Sequence, residues 1–293
     1  MANTRMGIFW MLVHCLALAS VMGIVRALTE SGMTPYLIMF WQNLFAAIMV
    51  FTYTLAKKRK LPKTKKLPTH FVRCAVAISA GLILFYTLSH VKLNLATAIS
   101  FTAPLVTSIF AVIFFGEKMG YHRFIGLIIG LVGVLVILRP GTEFFDPKML
   151  LMLIVVVFWA ITDLVIKLLN KTESLNSMLF YMTLVMLLYS LPLGMFFWED
   201  INLKQVLLLL LLTCLHLTNF ATVSLAYRDS DVSVLMPFDY SRLIFSAIIS
   251  YVFFAEGLSI WTAIGSFIII SSAVYVAYRE KKHRQKISTA IVA

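Results

Sequence analysis

Phe114-Phe115-Gly116-Glu117 recurs as Phe253-Phe254-Ala255-Glu256, and each copy is followed at the same distance by a glycine, Gly126 and Gly265. The offsets agree, since 256 − 117 and 265 − 126 both equal 139. Upstream, Arg26 and Phe40 match Lys167 and Tyr181; each pair is 14 residues apart, at an offset of 141, so the two copies differ in loop length by two residues. The chain therefore reads as a duplicated unit of about half its length. Duplicated membrane units of this kind are common in secondary transporters, which favours transport over catalysis.

The repeated pieces are long enough to cross a bilayer. Of 293 residues, 61% are hydrophobic and 13% charged, more apolar surface than a soluble domain hides. Apolar stretches of about 20 residues, the length needed to span a hydrocarbon core, recur along the chain. Ten can be drawn: 7–28, 35–56, 71–91, 95–115, 123–139, 149–169, 176–197, 205–226, 233–254 and 260–278. Ala17-Leu18-Ala19 has the spacing of a leader cleavage site but sits inside its apolar run, so the first stretch is expected to be helix one. The expected fold is an all-α integral membrane protein of ten transmembrane helices. Residues 1–140 form the first five-helix repeat, and 141–293 the second with a short basic tail. Five is odd, so the second repeat enters the membrane from the opposite side and the two are inverted about an axis in the membrane plane.

A net charge of +12 would suggest nucleic acid in a soluble protein. Its distribution argues otherwise. With the Lys57–Lys66 loop placed in the cytoplasm, alternation puts both termini inside. Nineteen Lys and Arg then fall on the inner side, Arg73 and Lys167 among them, against five outside (Arg26, Lys92, Arg139, Lys148 and Lys204). This is the positive-inside bias of a multi-pass protein in a bacterial inner membrane, whose partners are the lipid bilayer and a small-molecule substrate. Cys15, Cys74 and Cys214 lie in spans without metal-ligand spacing; neither a metal nor a cofactor is expected. Gly126, Gly130 and Gly133 form a small-residue stripe that suits either a dimer face or close packing inside the bundle, so monomer and homodimer both stay open.

Charge at membrane depth needs a reason. Arg242 lies about 14 Å along span nine, near the midplane, with Asp239 three residues earlier on the same face. Their repeat counterparts are Ser100 and Ala103. A pair required by the architecture belongs in both halves, so its presence in one favours a substrate clamp over a purely structural pair. Tyr240 corresponds to Phe101, and both rings can wall a binding site. Asp163 stands one turn before Lys167 and either pairs with it, binds a cationic group or carries a proton. Pro104 and Pro237 are expected to break spans four and nine, forming the site or gating it. Arg26 is expected to snorkel, and Glu117 and Glu256 to mark solvated helix ends. His14, His216, Gln42, Asn43 and Asn219 are polar candidates for a pocket or for interhelical contacts.

No nucleophile–base pair, His-Glu-x-x-His or phosphate-binding loop occurs, which argues against an enzyme or an ATP-driven pump. A non-transporting scaffold has no need of inverted halves.

Phe-Phe-x-Glu followed by a Gly-bearing last helix in each half, with Pro237-Phe238-x-Tyr240-x-x-Leu243 in the second, resembles the EamA repeats of the drug/metabolite transporter superfamily. The likeness covers essentially the full chain and implies a secondary carrier working by alternating access. Asp163, Lys167, Ser177-Met178-Leu179-Phe180-Tyr181 and Ser190-Leu191-Pro192 are similar to S-adenosylmethionine uptake transporters of intracellular bacteria. That resemblance implies uptake of S-adenosylmethionine, in exchange for S-adenosylhomocysteine. Arg242 would take the carboxylate and Asp239 or Asp163 a cationic centre, with Tyr240 or Trp41 on the adenine face. A free amino acid suits the same charges, and export of another metabolite is the alternative within the superfamily.

Overall fold

The structure, a computed structural model, describes residues 4–56, 62–103, 106, 110, 121–143, 145–229, 235 and 238–292, with backbone alone at 4, 122, 123, 127, 167, 273, 276, 277 and 280–292. The described residues form ten α-helices: α1 (Thr4–Glu30), α2 (Pro35–Ala56), α3 (Leu67–Leu88), α4 (Leu93–Ser100), α5 (Tyr121–Leu138), α6 (Leu151–Leu169), α7 (Leu175–Phe196), α8 (Leu203–Asp229), α9 (Ser241–Phe254) and α10 (Ile260–Val292). Six segments are long and apolar enough to cross a membrane: Arg5–Glu30, Pro35–Ala56, Leu67–Leu88, Pro147–Ile166, Leu175–Phe196 and Leu203–Asp229. Phe124–Leu138, Ser241–Phe254 and Ile260–Ser272 are shorter apolar helices. Outward-facing side chains stay apolar as well, with Phe9, Leu131, Leu184, Leu207, Ile244 and Phe267 all exposed. Lipid provides no drive to hide such groups, so the bundle is a multi-pass membrane protein.

Packing between the halves is reciprocal. The α1–α8 contact is matched by α6–α3, α1–α9 by α6–α4, and α2–α8 by α7–α3. Each helix of one half thus meets the partner that the repeat relation dictates. Two finer details agree. Gly133 and Gly265 bring the backbones of α5 and α10 so close that a Cβ on either would meet the other's carbonyl oxygen, at 2.9 and 2.7 Å. Adding or subtracting 139 turns this pair into Ser272 and Gly126, where the Ser272 hydroxyl donates to the Gly126 carbonyl. The glycine stripe of α5 therefore packs inside the bundle. Gly265→Ala is expected to destabilise the protein by about 1–3 kcal/mol, because the Gly133 backbone carbonyl blocks the added methyl together with the Ile137 side chain. Gly257→Ala, with open space around it, should be neutral. Thermal unfolding of detergent-solubilised protein checks both, and equal melting points would refute the close approach.

The central helices break at equivalent places. α4 ends at Ser100 and the chain turns at Phe101–Thr102; α9 begins regular helix at Ser241, after a turn at Tyr240. Phe101 and Tyr240 are repeat mates, and their rings touch edge-on with centroids 5.3 Å apart. Mates in contact lie on the symmetry axis, which runs through this pair. Pro104 and Pro237, expected to cause the breaks, lie outside the described residues, as does Glu117.

Interhelical contacts define the two ends. At the end where α1 begins, here the base, the Thr64 hydroxyl donates to Glu173 at 2.6 Å and the Tyr181 hydroxyl to the Pro62 carbonyl at 2.8 Å. At the opposite end, the crown, Gln205 donates to the Ser31 hydroxyl at 3.2 Å, and Tyr36 stacks on Phe197. Arg26 is the centre of the crown. Its guanidinium reaches Glu256 at 2.7 Å, Glu30 at 3.0 Å and the Val91 carbonyl at 2.9 Å, and covers the Phe254 ring. The snorkelling expected for Arg26 is therefore corrected: its side chain ties α1 to the α3–α4 turn and to α9. The repeated Phe-Phe-x-Glu motif explains how. Ala255, at the position held by Gly116 in the first copy, has a left-handed φ of 51° and closes α9, while the Glu256 amide donates to the Ser250 carbonyl. This turn brings the Glu256 carboxylate to Arg26.

Candidate functional site

Between the halves lies a cavity of about 270 Å³, just below the usual range for ligand sites. The pseudo-symmetric helices α1, α3, α6 and α8 supply most of its wall. Its last residue on α1 is Val21, five residues short of Arg26 and so about 8 Å below the crown contact. On α6 and α8 the lining falls in the base half, through Trp159, Asp163, Ile166, Asn219, Val223 and Tyr227.

Four charged side chains reach this cavity: Arg73, Asp163, Asp239 and Arg242. Asp239 and Arg242, one turn apart at the start of α9, form an ion pair at 3.3 Å with side chains 11% and 4% exposed. The α1 thiol of Cys15 also lies 3.6 Å from the Asp239 carboxylate. Aromatic rings sandwich the guanidinium of Arg242, with Phe101 at 5.3 Å and Trp159 at 5.8 Å, and its Nε has no hydrogen-bond partner. Arg242 is thus held by one carboxylate oxygen and two ring faces, and keeps an unused donor. Asp163 has neither a hydrogen bond nor an ion pair among the described residues; the Lys167 side chain expected beside it lies outside them.

Neutral polar groups complete the wall. His14 Nδ1 meets the Asn219 side-chain amide at 3.1 Å, joining α1 to α8, and the Gln42 side-chain Oε1 is buried without a partner among the described residues. His216 also faces the cavity. Asn43 does not line it, and its amide nitrogen is buried without a partner.

The site expected from sequence is partly assembled here. Arg242, Asp239 and Asp163 converge on one cavity. Phe101 and Tyr240 stand behind it, packed on each other, with Phe101 supporting Arg242 rather than forming the wall. Trp41 packs among Phe40, Phe45 and Trp198 instead of facing the cavity. Among the aromatic rings that do face it, with Phe85, Phe220 and Tyr227, is Trp159, four residues before Asp163 on the same face of α6. Arg73 requires a correction. Counted from its position as an inner-surface cation, it is 2% exposed and points into the bundle. The span drawn from residue 71 put Arg73 at its very end, where a surface role looked adequate; the helix begins four residues earlier, at Leu67.

Ten helices among the described residues, apolar outside and enclosing a charged cavity, have the build of a membrane transporter of small molecules. The profile of the EamA-like transporter family matches twice, over residues 5–139 and 147–278, and the chain belongs to that family. It is 29% identical to an S-adenosylmethionine uptake transporter of Rickettsia bellii, over 96% of both chains, and 28% identical to one of Rickettsia prowazekii, over 94% of both. It is also 26% identical to a riboflavin transporter of Vibrio cholerae, over 96% of this chain and 95% of that one. A solved crystal structure superposes with a TM-score of 0.66 over 95% of this chain and 97% of the other, at 16% identity, a likeness of fold alone.

Proposed function

We propose that this protein takes up S-adenosylmethionine across the cytoplasmic membrane of a bacterium, in exchange for S-adenosylhomocysteine, by alternating access of the cavity to its base and crown. The observation that carries the reading is Asp163, a carboxylate without a partner among the described residues, on the same helix face as a cavity-lining indole. S-adenosylmethionine brings a sulfonium and an ammonium for such a carboxylate, and a flat adenine for Trp159. The unpartnered Gln42 carbonyl oxygen suits the exocyclic amine of adenine as an acceptor. The full-length similarity to two Rickettsia uptake transporters supports the same substrate. The basic bias of the base supports its facing the cytoplasm, with both termini inside. Phe101, Tyr240 and the segments around Pro104 and Pro237 are assigned to the hinge about which the halves rock.

Uptake of labelled S-adenosylmethionine into proteoliposomes tests the proposal. Saturable uptake, faster after preloading with S-adenosylhomocysteine and reduced at least about 10-fold by Asp163→Asn, is the expected result. Absence of uptake by well-inserted protein, with uptake of labelled riboflavin in its place, would transfer the assignment to the other group of relatives.

A further inference from the structure

We infer that Arg73 is the anion-binding arm of the cavity and that the transported molecule is a zwitterion whose carboxylate docks there. The inference rests on the uptake reading above and narrows its substrate class. Three guanidiniums are buried or nearly so in this bundle, and they differ in one respect. Arg26 has Glu30 and Glu256, and Arg242 has Asp239. Arg73, 2% exposed, has no carboxylate within ion-pair distance among the described residues. Its contacts are the Cys74 sulfur at 3.8 Å and the Phe220 ring at 5.2 Å, and its Nε has no partner. Sulfur is a weak acceptor and a ring face a weak counter-charge. A buried cation without a counter-ion is strongly unfavourable, so no stabilising ion pair among the described residues accounts for this residue.

An anionic ligand does account for it. Asp239 neutralises Arg242, which leaves Arg73 and Asp163 as one positive and one negative charge on the cavity wall without an ion-pair partner among the described residues. Arg73 stands six residues after the start of α3 and Asp163 six before the end of α6. Both therefore lie about 9 Å from the base ends of two helices that pack together. A substrate with a carboxylate and a cationic centre satisfies both residues at one depth in the bundle. A flavin bearing neither charge offers a counter-charge to neither residue.

Affinities and melting points of the full-length protein in detergent test this, measured with S-adenosylmethionine, methionine, the decarboxylated amine of each, and riboflavin. The wild type should bind S-adenosylmethionine about 10- to 100-fold more tightly than its decarboxylated form, the ratio expected for a charge-assisted hydrogen-bonded pair. Arg73→Met should bind the two equally, and Arg73→Lys should keep part of the preference. Without ligand, Arg73→Met should melt at or above the wild type, because it removes a desolvated charge. A preference undiminished in Arg73→Met, or a melting point well below the wild type, overturns the inference. If S-adenosylmethionine fails to bind but methionine binds with an Arg73-dependent preference over its amine, the uptake reading falls and the anion arm stands. Binding of riboflavin alone, unchanged in Arg73→Met, removes both.

Discussion

Arg242→Ala is expected to abolish S-adenosylmethionine uptake and to destabilise the protein by about 3–5 kcal/mol, the usual consequence of leaving one member of a buried ion pair alone. Asp239 is the reason. Its carboxylate is buried and its only charged partner among the described residues is Arg242, at 3.3 Å. With Arg242 removed, the cavity holds two unpaired carboxylates, Asp163 and Asp239, that attract any cationic centre and each other's protons. The double variant Asp239→Asn, Arg242→Met separates the two effects. It removes both charges, so it should recover most of the lost stability, yet remain inactive because the α9 turn no longer presents an oriented polar edge to the cavity. Thermal unfolding in detergent together with proteoliposome uptake reads both quantities. Normal uptake by Arg242→Ala would remove the pair from the site. A double variant as unstable as the single one would show that packing of Arg242 between Phe101 and Trp159, and not charge, is what the helix break requires.

Glu256→Gln is expected to shift the protein towards a crown-open state by about 10- to 100-fold, and to slow uptake by a similar factor because closure at that end is then incomplete. Arg26 joins three elements, α1, the α3–α4 turn and the end of α9, and only the Glu256 contact is an ion pair between the two halves. The Glu256 side chain is 9% exposed, so solvent screens the pair little. A second strand of the same closure runs alongside, where the Asn94 amide donates to the Gly257 carbonyl at 3.1 Å. Loss of the Glu256 charge weakens the closure without removing any apolar contact. The readout is labelling of Met39→Cys, on the cavity wall, by a membrane-impermeant maleimide, with Cys15, Cys74 and Cys214 replaced. Labelling through the crown should accelerate in Glu256→Gln and in Arg26→Gln, and the double variant should add little, since both break one contact. Unchanged labelling would show that the crown is closed by packing alone.

The two predictions rest on interactions of different legibility. Asp239–Arg242 is an i,i+3 pair, so the helical period places both on one face whatever the rest of the fold does. The Arg26–Glu256 pair joins residues from opposite halves, and sequence offered only hints: a cation matched to Lys167 and an acid closing a repeated motif. Even that motif was half readable. Its acid was read as a solvated helix end, and nothing in the motif named the partner that the turn at Ala255 brings within reach.

What the sequence by itself determined is everything carried by local composition and by self-similarity: apolar runs of bilayer length and an odd number of them per repeat, hence inversion. What only the tertiary structure decided is which side of each helix looks inward. In water an amphipathic period would reveal it, but lipid is as apolar as a protein core, so lipid-facing and bundle-facing residues read alike. For that reason Trp41 and Trp159 were indistinguishable on paper, although one packs among aromatic rings near the crown and the other faces the cavity. For the same reason Arg73, close to a helix end, read as a surface cation, until the packing of α3 against α6, α7 and α1 turned it inward.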